Sequence, residues 1–471
     1  MLFSARMLAT AARPILQDVV IVGGGPAGLS LMAALKNSPK TQHLSCTLIE
    51  GLDLAPVKQF AQTPPENYTN RIVSLTPKLV QFMQEKSGSW QFLHTDRVKF
   101  YDNMIAYDGQ DSLARIHFDS SSPGSTSPEQ LLIAAMCEIV NVQQSLLQKI
   151  DDLNEEFGEE DAVVVDKLRV AEISRQEGLD WPVVTLDSGV AYQARLLVGA
   201  DGQNSPVRKY AEIESRGWSY DRFGVVGTLK LQFEDYRDVA WQRFLTTGPL
   251  AILPLAGDNA TFVWSCTPEL AELLLKVDDA IFPHLLNAAM TLDETDLKYY
   301  YQALEKNPLD DSLVEDMLWR TLKMDERDLD ENFPVPVMEV TPKSRARFPL
   351  KYLQADTYIA PRVALVGDAA HTVHPLAGQG LNMGQTDVAL LLEALETGVD
   401  RGQDIGSTLV LEKYNATAWP ANHALMGVCD KLHKVFSTDF APLVLARGLG
   451  LKTLNAFDSV KNLMMLGVNG R

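Results

Sequence analysis

A glycine triplet that directly follows a short apolar run restricts the fold more than any other feature of this chain. Asp18–Val22, DVVIV, is continuous and rich in β-branched residues, as a strand buried on both faces of a parallel sheet should be. Gly23-x-Gly25-x-x-Gly28 comes next and opens an apolar helical stretch, Leu29 to Leu35, and SCTLIE (45–50) reads as a second strand. The sequence predicts a βαβ unit. Gly23 permits the tight turn, Gly25 lets a pyrophosphate approach the backbone, and Gly28 lets helix and strand pack closely. The helix start offers amide donors and positive dipole to phosphates. Glu50, 22 residues after Gly28, can accept hydrogen bonds from a ribose and disfavours a 2′-phosphate. The motif alone does not separate NAD from FAD.

Two distant segments separate them. LLVGADGQNSPVR (196–208) and VALVGDAAHTVHPLAGQGLNMG (363–384) are apolar runs broken by Asp-Gly or Gly-Asp, each able to bring a carboxylate to a strand end. With the βαβ unit they resemble the three fingerprints of the aromatic-hydroxylase class of flavin monooxygenases, which share the 4-hydroxybenzoate hydroxylase fold. The resemblance implies an α/β chain: a Rossmann-like FAD-binding domain interleaved with a smaller β-sheet substrate domain, then C-terminal helices. It implies FAD as cofactor, with Asp368 on the ribityl hydroxyls and Arg71, in NRIVSLTP, contacting FAD. Asp201 supports cofactor and fold in that family; an Asp201–Arg208 ion pair holding a turn is the plainer alternative. His371 and Pro375 bracket the turn facing the isoalloxazine. The resemblance also implies that the helix starting across Leu376–Asn382, with Gly378, Gly380, Leu381 and Asn382, stabilises negative charge on reduced flavin. His371 and His374 are equally readable as packing or capping residues.

WQRFLTTGPLAILPL (241–255), SRARFPLKYLQAD (344–356) and residues 367–388 are similar to the ubiquinone-biosynthesis hydroxylases. TPPENYTNRIVSLTP (63–77) and SRGWSYDRFGVV (215–226) narrow the likeness to the mitochondrial coenzyme Q monooxygenases of fungi. That resemblance implies hydroxylation of ring carbon 5 of a polyprenylated 4-hydroxybenzoate by a flavin C4a-hydroperoxide formed with oxygen. It implies electrons from ferredoxin and ferredoxin reductase, and membership of the coenzyme Q synthesis complex on the matrix side of the mitochondrial inner membrane. The catalytic candidates are His374 and Pro375, and the substrate walls Trp241, Leu253, Phe348 and Leu350, each of which also reads as a plain core residue. No second GxGxxG follows a strand, so no separate nicotinamide domain is expected. A generic NAD(P)H-dependent aromatic hydroxylase and an FAD-holding scaffold subunit of the complex are the alternatives.

Composition sets outer limits. With 46% hydrophobic and 22% charged residues, the chain is neither disordered nor fibrous. Its net charge of −19 argues against nucleic acid. The cysteines, Cys46, Cys137, Cys266 and Cys429, form no CxxC pair, so neither a metal site nor a disulfide framework is expected. Residues 1–17 carry Arg6 and Arg13 and no acid, as a mitochondrial transit peptide would. The FAD domain is expected in 18–95, 129–210 and 345–420, the substrate domain in 96–128 and 211–344, and a helical region in 421–471. A long amphipathic helix is predicted at 129–150. An acid-rich insertion, 291–332, has 13 acids against 5 bases; it reads as a solvated excursion or a docking surface. Residues 441–466, bearing Arg447, Lys452 and Lys461, read as an interfacial helix for peripheral membrane contact or as a packed C-terminal helix.

Overall fold

The computed structural model describes residues 13–111, 113–119, 133–157, 162–176, 179–373, 378–438 and 440–455. The first sheet has the order Ile359–Ala360, Val363–Leu365, Ala191–Gly199, Ile15–Val22, Cys46–Ile49, Ala162–Val165, with the hairpin Val170–Gln176 and Leu179–Leu186 branching from Ala191–Gly199. Its central strands are parallel. Val19, Val20, Ile21 and Leu48 are wholly buried, which favours folding by about 1.5–3 kcal/mol per side chain. Helices Pro26–Asn37 and Gln379–Asp400 pack in the same core. The strand begins at Ile15, not Asp18: Ile15, Leu16 and Gln17 pair with Tyr192, Gln193 and Ala194. The end of the expected leader, 15–17, is therefore part of the sheet, and residues 1–12 lie outside the described ones.

The second sheet runs His371–Thr372, Ala346–Ala355, Ser215–Leu231, Asn259–Cys266, Gly248–Pro254, Val239–Leu245, Asn103–Asp108, Arg115–Asp119, with Val337–Val340 beside Ser215–Leu231. One face is covered by helices, where Trp241, Phe262, Trp264, Leu285 and Tyr300 form a core. A three-stranded sheet, Ile72–Leu75, Ala134–Glu138 and Lys99–Tyr101, meets the other face: Tyr101 and Met136 pack against Ala240 and Leu255.

Three expectations are corrected. The helix predicted at 129–150 is a strand, Ala134–Glu138, then a helix, Ile139–Phe157. AAMCE is buried throughout as the middle strand of its sheet, and a short buried apolar run has no period that distinguishes strand from helix. The boundary drawn at 345 falls wrongly, because Ala346–Ala355 pairs with Ser215–Leu231 in the second sheet. Lys99–Tyr101, placed with the substrate domain, pairs with Ala134–Glu138 instead. Partners distant in sequence decide both.

The acidic segment forms three helices, Glu294–Lys306, Ser312–Leu322 and Glu326–Asn332. Leu297, Tyr300, Leu304, Leu313 and Met317 are buried in the second core, so the first two helices are structural on one face. The chain closes with helices Thr408–Phe436 and Ala441–Asn455. Among the described residues, no helix is long and apolar enough to cross a membrane.

Candidate active site

The glycine turn has the geometry of a phosphate cradle. Gly23 adopts φ +114°, and a Cβ there would sit 2.2 Å from the Ala200 carbonyl oxygen. A Cβ at Gly28 would lie 1.9 Å from the Gly23 carbonyl oxygen, so strand and helix touch backbone to backbone. A Cβ at Gly25 would meet nothing within 4 Å, which leaves that amide face open to a ligand. The Glu50 Oε2 accepts the Gly24 N–H at 2.6 Å and Oε1 the Leu52 N–H at 2.7 Å. Each carboxylate oxygen keeps a second lone pair for a ribose hydroxyl. Gln143, which the sequence did not single out, donates to the Gly24 carbonyl at 3.1 Å.

Ser205 caps the short helix Pro206–Tyr210, and Asp201 Oδ2 adds to it by accepting the Val207 N–H at 3.1 Å. Its Oδ1 is buried with no hydrogen-bond partner among the described residues. Burial pushes this carboxyl above the ordinary range, against the pull of Ser205, Val207 and Arg208. Arg208 does not bond Asp201. Its Nη1 and Nη2 donate to the Ala369 and Gln203 carbonyls at 2.6 Å each, tying the two carboxylate-bearing segments together.

Asp368 follows strand Val363–Leu365, on the turn Gly367–Ala369. Its side chain is solvent-accessible, yet protein surrounds it closely enough to raise its pKa; His371 and Arg71 oppose that shift. Arg71 is exposed, and its carbonyl is fixed by the Ile139 N–H at 2.9 Å. The loop before it is clamped by a buried pair that the sequence reading missed. Arg97 Nε meets Glu138 Oε2 at 2.7 Å, Arg97 Nη1 donates to the Pro65 carbonyl at 2.9 Å, and Glu138 Oε1 accepts the Thr69 N–H at 2.7 Å.

Helix Gln379–Asp400 starts after Gly378, whose φ of +62° suits glycine. A Cβ at Gly380 would find only Val373 Cγ1, at 3.9 Å. Leu381 packs on the first core. Asn382 holds the helix rather than facing outward. Its Oδ1 accepts the Thr76 N–H at 3.0 Å, and its Nδ2 donates to the Ser74 carbonyl at 2.7 Å. The side chain thus anchors the helix start whose backbone amides are expected at the flavin. His374 and Pro375 lie outside the described residues. His371 is buried and bonds Asp387, which the sequence reading did not select.

The four substrate candidates do not share one wall. Trp241 pairs with Ile252, and both face the helix-covered core; Leu253, the next residue, points to the opposite face, with Tyr68, Ile72 and Met136. Of the two readings of Trp241, the structure takes the core one and removes it from the substrate wall. Leu350 is 1% exposed and fully enclosed, whereas Phe348 is 40% exposed and lies over Gly224. Leu253 and Phe348 keep accessible surface. Tyr352, Met383 and Met426 form a further apolar cluster between the second sheet and the last two long helices.

A family model described as an FAD binding domain matches residues 134–426. The mitochondrial ubiquinone biosynthesis monooxygenase COQ6 of Saccharomyces cerevisiae is 45% identical, over 99% of this chain and 96% of that protein. The chain belongs to this monooxygenase family. The Schizosaccharomyces pombe and Homo sapiens members are 39% and 32% identical, over 97% and 98% of the chain and 93% and 95% of their own lengths. Among solved structures, Pseudomonas aeruginosa PqsL in complex with 2-aminobenzoylacetate has a TM-score of 0.66 at 20% identity, covering 93% of this chain and 100% of that one. Pseudomonas putida p-nitrophenol 4-monooxygenase PnpA has 0.66 at 15%, covering 98% and 100%. These two share the fold. As a member of the family, the chain is an FAD-dependent monooxygenase.

Proposed function

We propose that this enzyme hydroxylates ring carbon 5 of a polyprenylated 4-hydroxybenzoate in ubiquinone biosynthesis. The observation that carries the reading is the 45% identity, over 99% of the chain, to a yeast protein named for that pathway. Bound FAD supplies the activation of molecular oxygen. The chain's residues bind, orient and exclude water. Gly23, Gly25 and Gly28 hold the pyrophosphate with the helix start, Glu50 takes the ribose, and Asp368 takes the ribityl hydroxyls. Arg71 contacts the FAD, the helix start at Gly378, Gly380, Leu381 and Asn382 offers its amides to the flavin, and Asp201 supports cofactor binding and the adjoining turn. His374 and Pro375 are the residues proposed for catalysis, and Leu253 and Phe348 contact the prenylated substrate. Electrons come from ferredoxin and its reductase. The enzyme works in the mitochondrion, on the matrix face of the inner membrane, beside other subunits of the coenzyme Q complex.

Anaerobic reduction of the bound flavin tests the electron route, first with NADPH or NADH, then with ferredoxin, its reductase and NADPH. Reduction only through ferredoxin is expected. Fast direct reduction by NAD(P)H would return the chain to the generic aromatic hydroxylases. Mass analysis of the product from the prenylated substrate tests the hydroxylation itself, and no substrate-dependent oxygen uptake would favour a scaffold.

A further inference from the structure

One carboxylate closes the turn that presents Asp368. Asp387 Oδ2 accepts the Gly367 N–H at 3.0 Å and lies 2.6 Å from His371 Nε2, so it grips both ends of the five-residue turn. Its Oδ1 accepts from Asn422 Nδ2 at 2.8 Å, which anchors the arrangement to helix Thr408–Phe436. Asp387 is 0% and His371 1% exposed. A carboxylate with no access to water needs a counter-charge, and two of its three donors here are neutral amides. The third is His371, which makes the pair an ion pair when the imidazole is protonated.

We propose that Asp387 is a positioning residue acting through His371: it holds a buried imidazolium beside the Gly367–Asp368 turn, and that cation keeps the Asp368 carboxyl ionised to accept the cofactor's hydroxyl groups. The proposal rests on the reading that Asp368 binds FAD. Burial alone would push the His371 imidazole down, but the Asp387 carboxylate, with Asp368 beyond it, holds its pKa above the ordinary value. In return His371, together with Arg71, favours the charged form of Asp368. The other titratable or charged groups facing the cluster leave this logic intact. Arg208 is bonded to the Ala369 and Gln203 carbonyls. The Tyr358 ring lies 5.7 Å from that of His371, and burial holds both Tyr358 and Tyr414 above the ordinary phenol range. His423 is held by Gln354, which pairs with His371 across the sheet.

The test is the FAD affinity of the apoprotein, read by flavin fluorescence between about pH 5 and 9. Without the cation Asp368 protonates at higher pH, so binding is lost earlier as pH falls. In Asp387→Asn the acid limb should move to higher pH, with affinity falling several-fold on that limb and unchanged above it. His371→Gln should give the same displacement, the double variant no more, and Asp387→Glu should restore most of it. Weakening by a pH-independent factor in Asp387→Asn and His371→Gln would overturn the proposal and leave Asp387 a purely structural clamp. If Asp387→Asn does not fold, His371→Gln decides alone by the same criterion. Asp368→Asn separates the underlying reading: unchanged FAD affinity in that variant would remove Asp368 from the site and the proposal with it.

Discussion

The Arg447 guanidinium grips the Asp108 carboxylate through two contacts, Nε–Oδ2 at 2.6 Å and Nη2–Oδ1 at 3.1 Å, with both side chains shut away from water. Arg447 also donates to the carbonyls of Val435, Phe436 and Thr438 at the end of the preceding helix. One cation thus fastens helix Ala441–Asn455 to strand Asn103–Asp108, next to the edge of the second sheet, and caps the neighbouring helix. Arg447 is therefore not a surface charge, which corrects its place on an interfacial face. Leu445 and Leu449 remain exposed on that helix, and residues 456–466 lie outside the described ones.

Asp108→Asn leaves the guanidinium buried without its counter-charge. The expected cost is about 3–5 kcal/mol in denaturant unfolding. Replacing both partners by apolar residues should recover most of it. A cost below about 1 kcal/mol in the single variant would show that the pair is dispensable.

Gly28→Ala drives a methyl into the Gly23 carbonyl. The protein should purify without its yellow flavin and bind added FAD at least tenfold more weakly, about 1.4 kcal/mol. Gly427→Ala, where a Cβ meets nothing within 4 Å, is the matched control and should bind normally.

Trp241 and Leu253 should separate stability from substrate binding. Trp241→Phe removes core volume and should cost about 1–3 kcal/mol of stability while leaving KM for the prenylated substrate unchanged. Leu253→Ala should raise KM several-fold with little change in melting temperature. The opposite pattern would put Trp241 back in the substrate wall.

Deleting the acidic segment cannot test ferredoxin docking, because Leu297, Tyr300 and Leu304 are core. Neutralising Asp325, Glu326, Asp330 and Glu331 together leaves that core intact, since no residue of Glu326–Asn332 is buried. The ferredoxin-dependent rate should fall several-fold, more at low than at high salt, while dithionite reduction stays the same. Equal ferredoxin rates would exclude this face.

The His371–Asp387 pair also predicts a stability profile. The folded-state pKa of His371 is raised above its unfolded value of about 6.5, so the contribution is fully present below that value and lost as pH rises through the folded pKa. The melting temperature should fall over that range in the native protein, and His371→Gln should flatten the fall.

Local features were legible. DVVIV followed by three spaced glycines allows few structures other than strand, tight turn and helix, and Gly23 and Gly28 sit where a Cβ would strike backbone. The carboxylates near strand ends, Asp201 and Asp368, were legible for the same reason: each comes within three residues of the end of its own strand. Side-chain partnership was not. Arg97–Glu138, Arg447–Asp108 and His371–Asp387 join residues 41, 339 and 16 positions apart, with no local spacing to announce them.

The sequence alone determined the cofactor class and its cradle, because backbone clearance, β-branching and turn chemistry act within a few residues. The tertiary structure decided which face each strand residue shows. Trp241 and Leu253 both belong to apolar strands, and only the pairing of Trp241 with Ile252 assigns them to opposite sides. It also decided that AAMCE is a strand and that Ala346–Ala355 belongs to the second sheet, since a strand is completed by hydrogen bonds to partners far away in the chain.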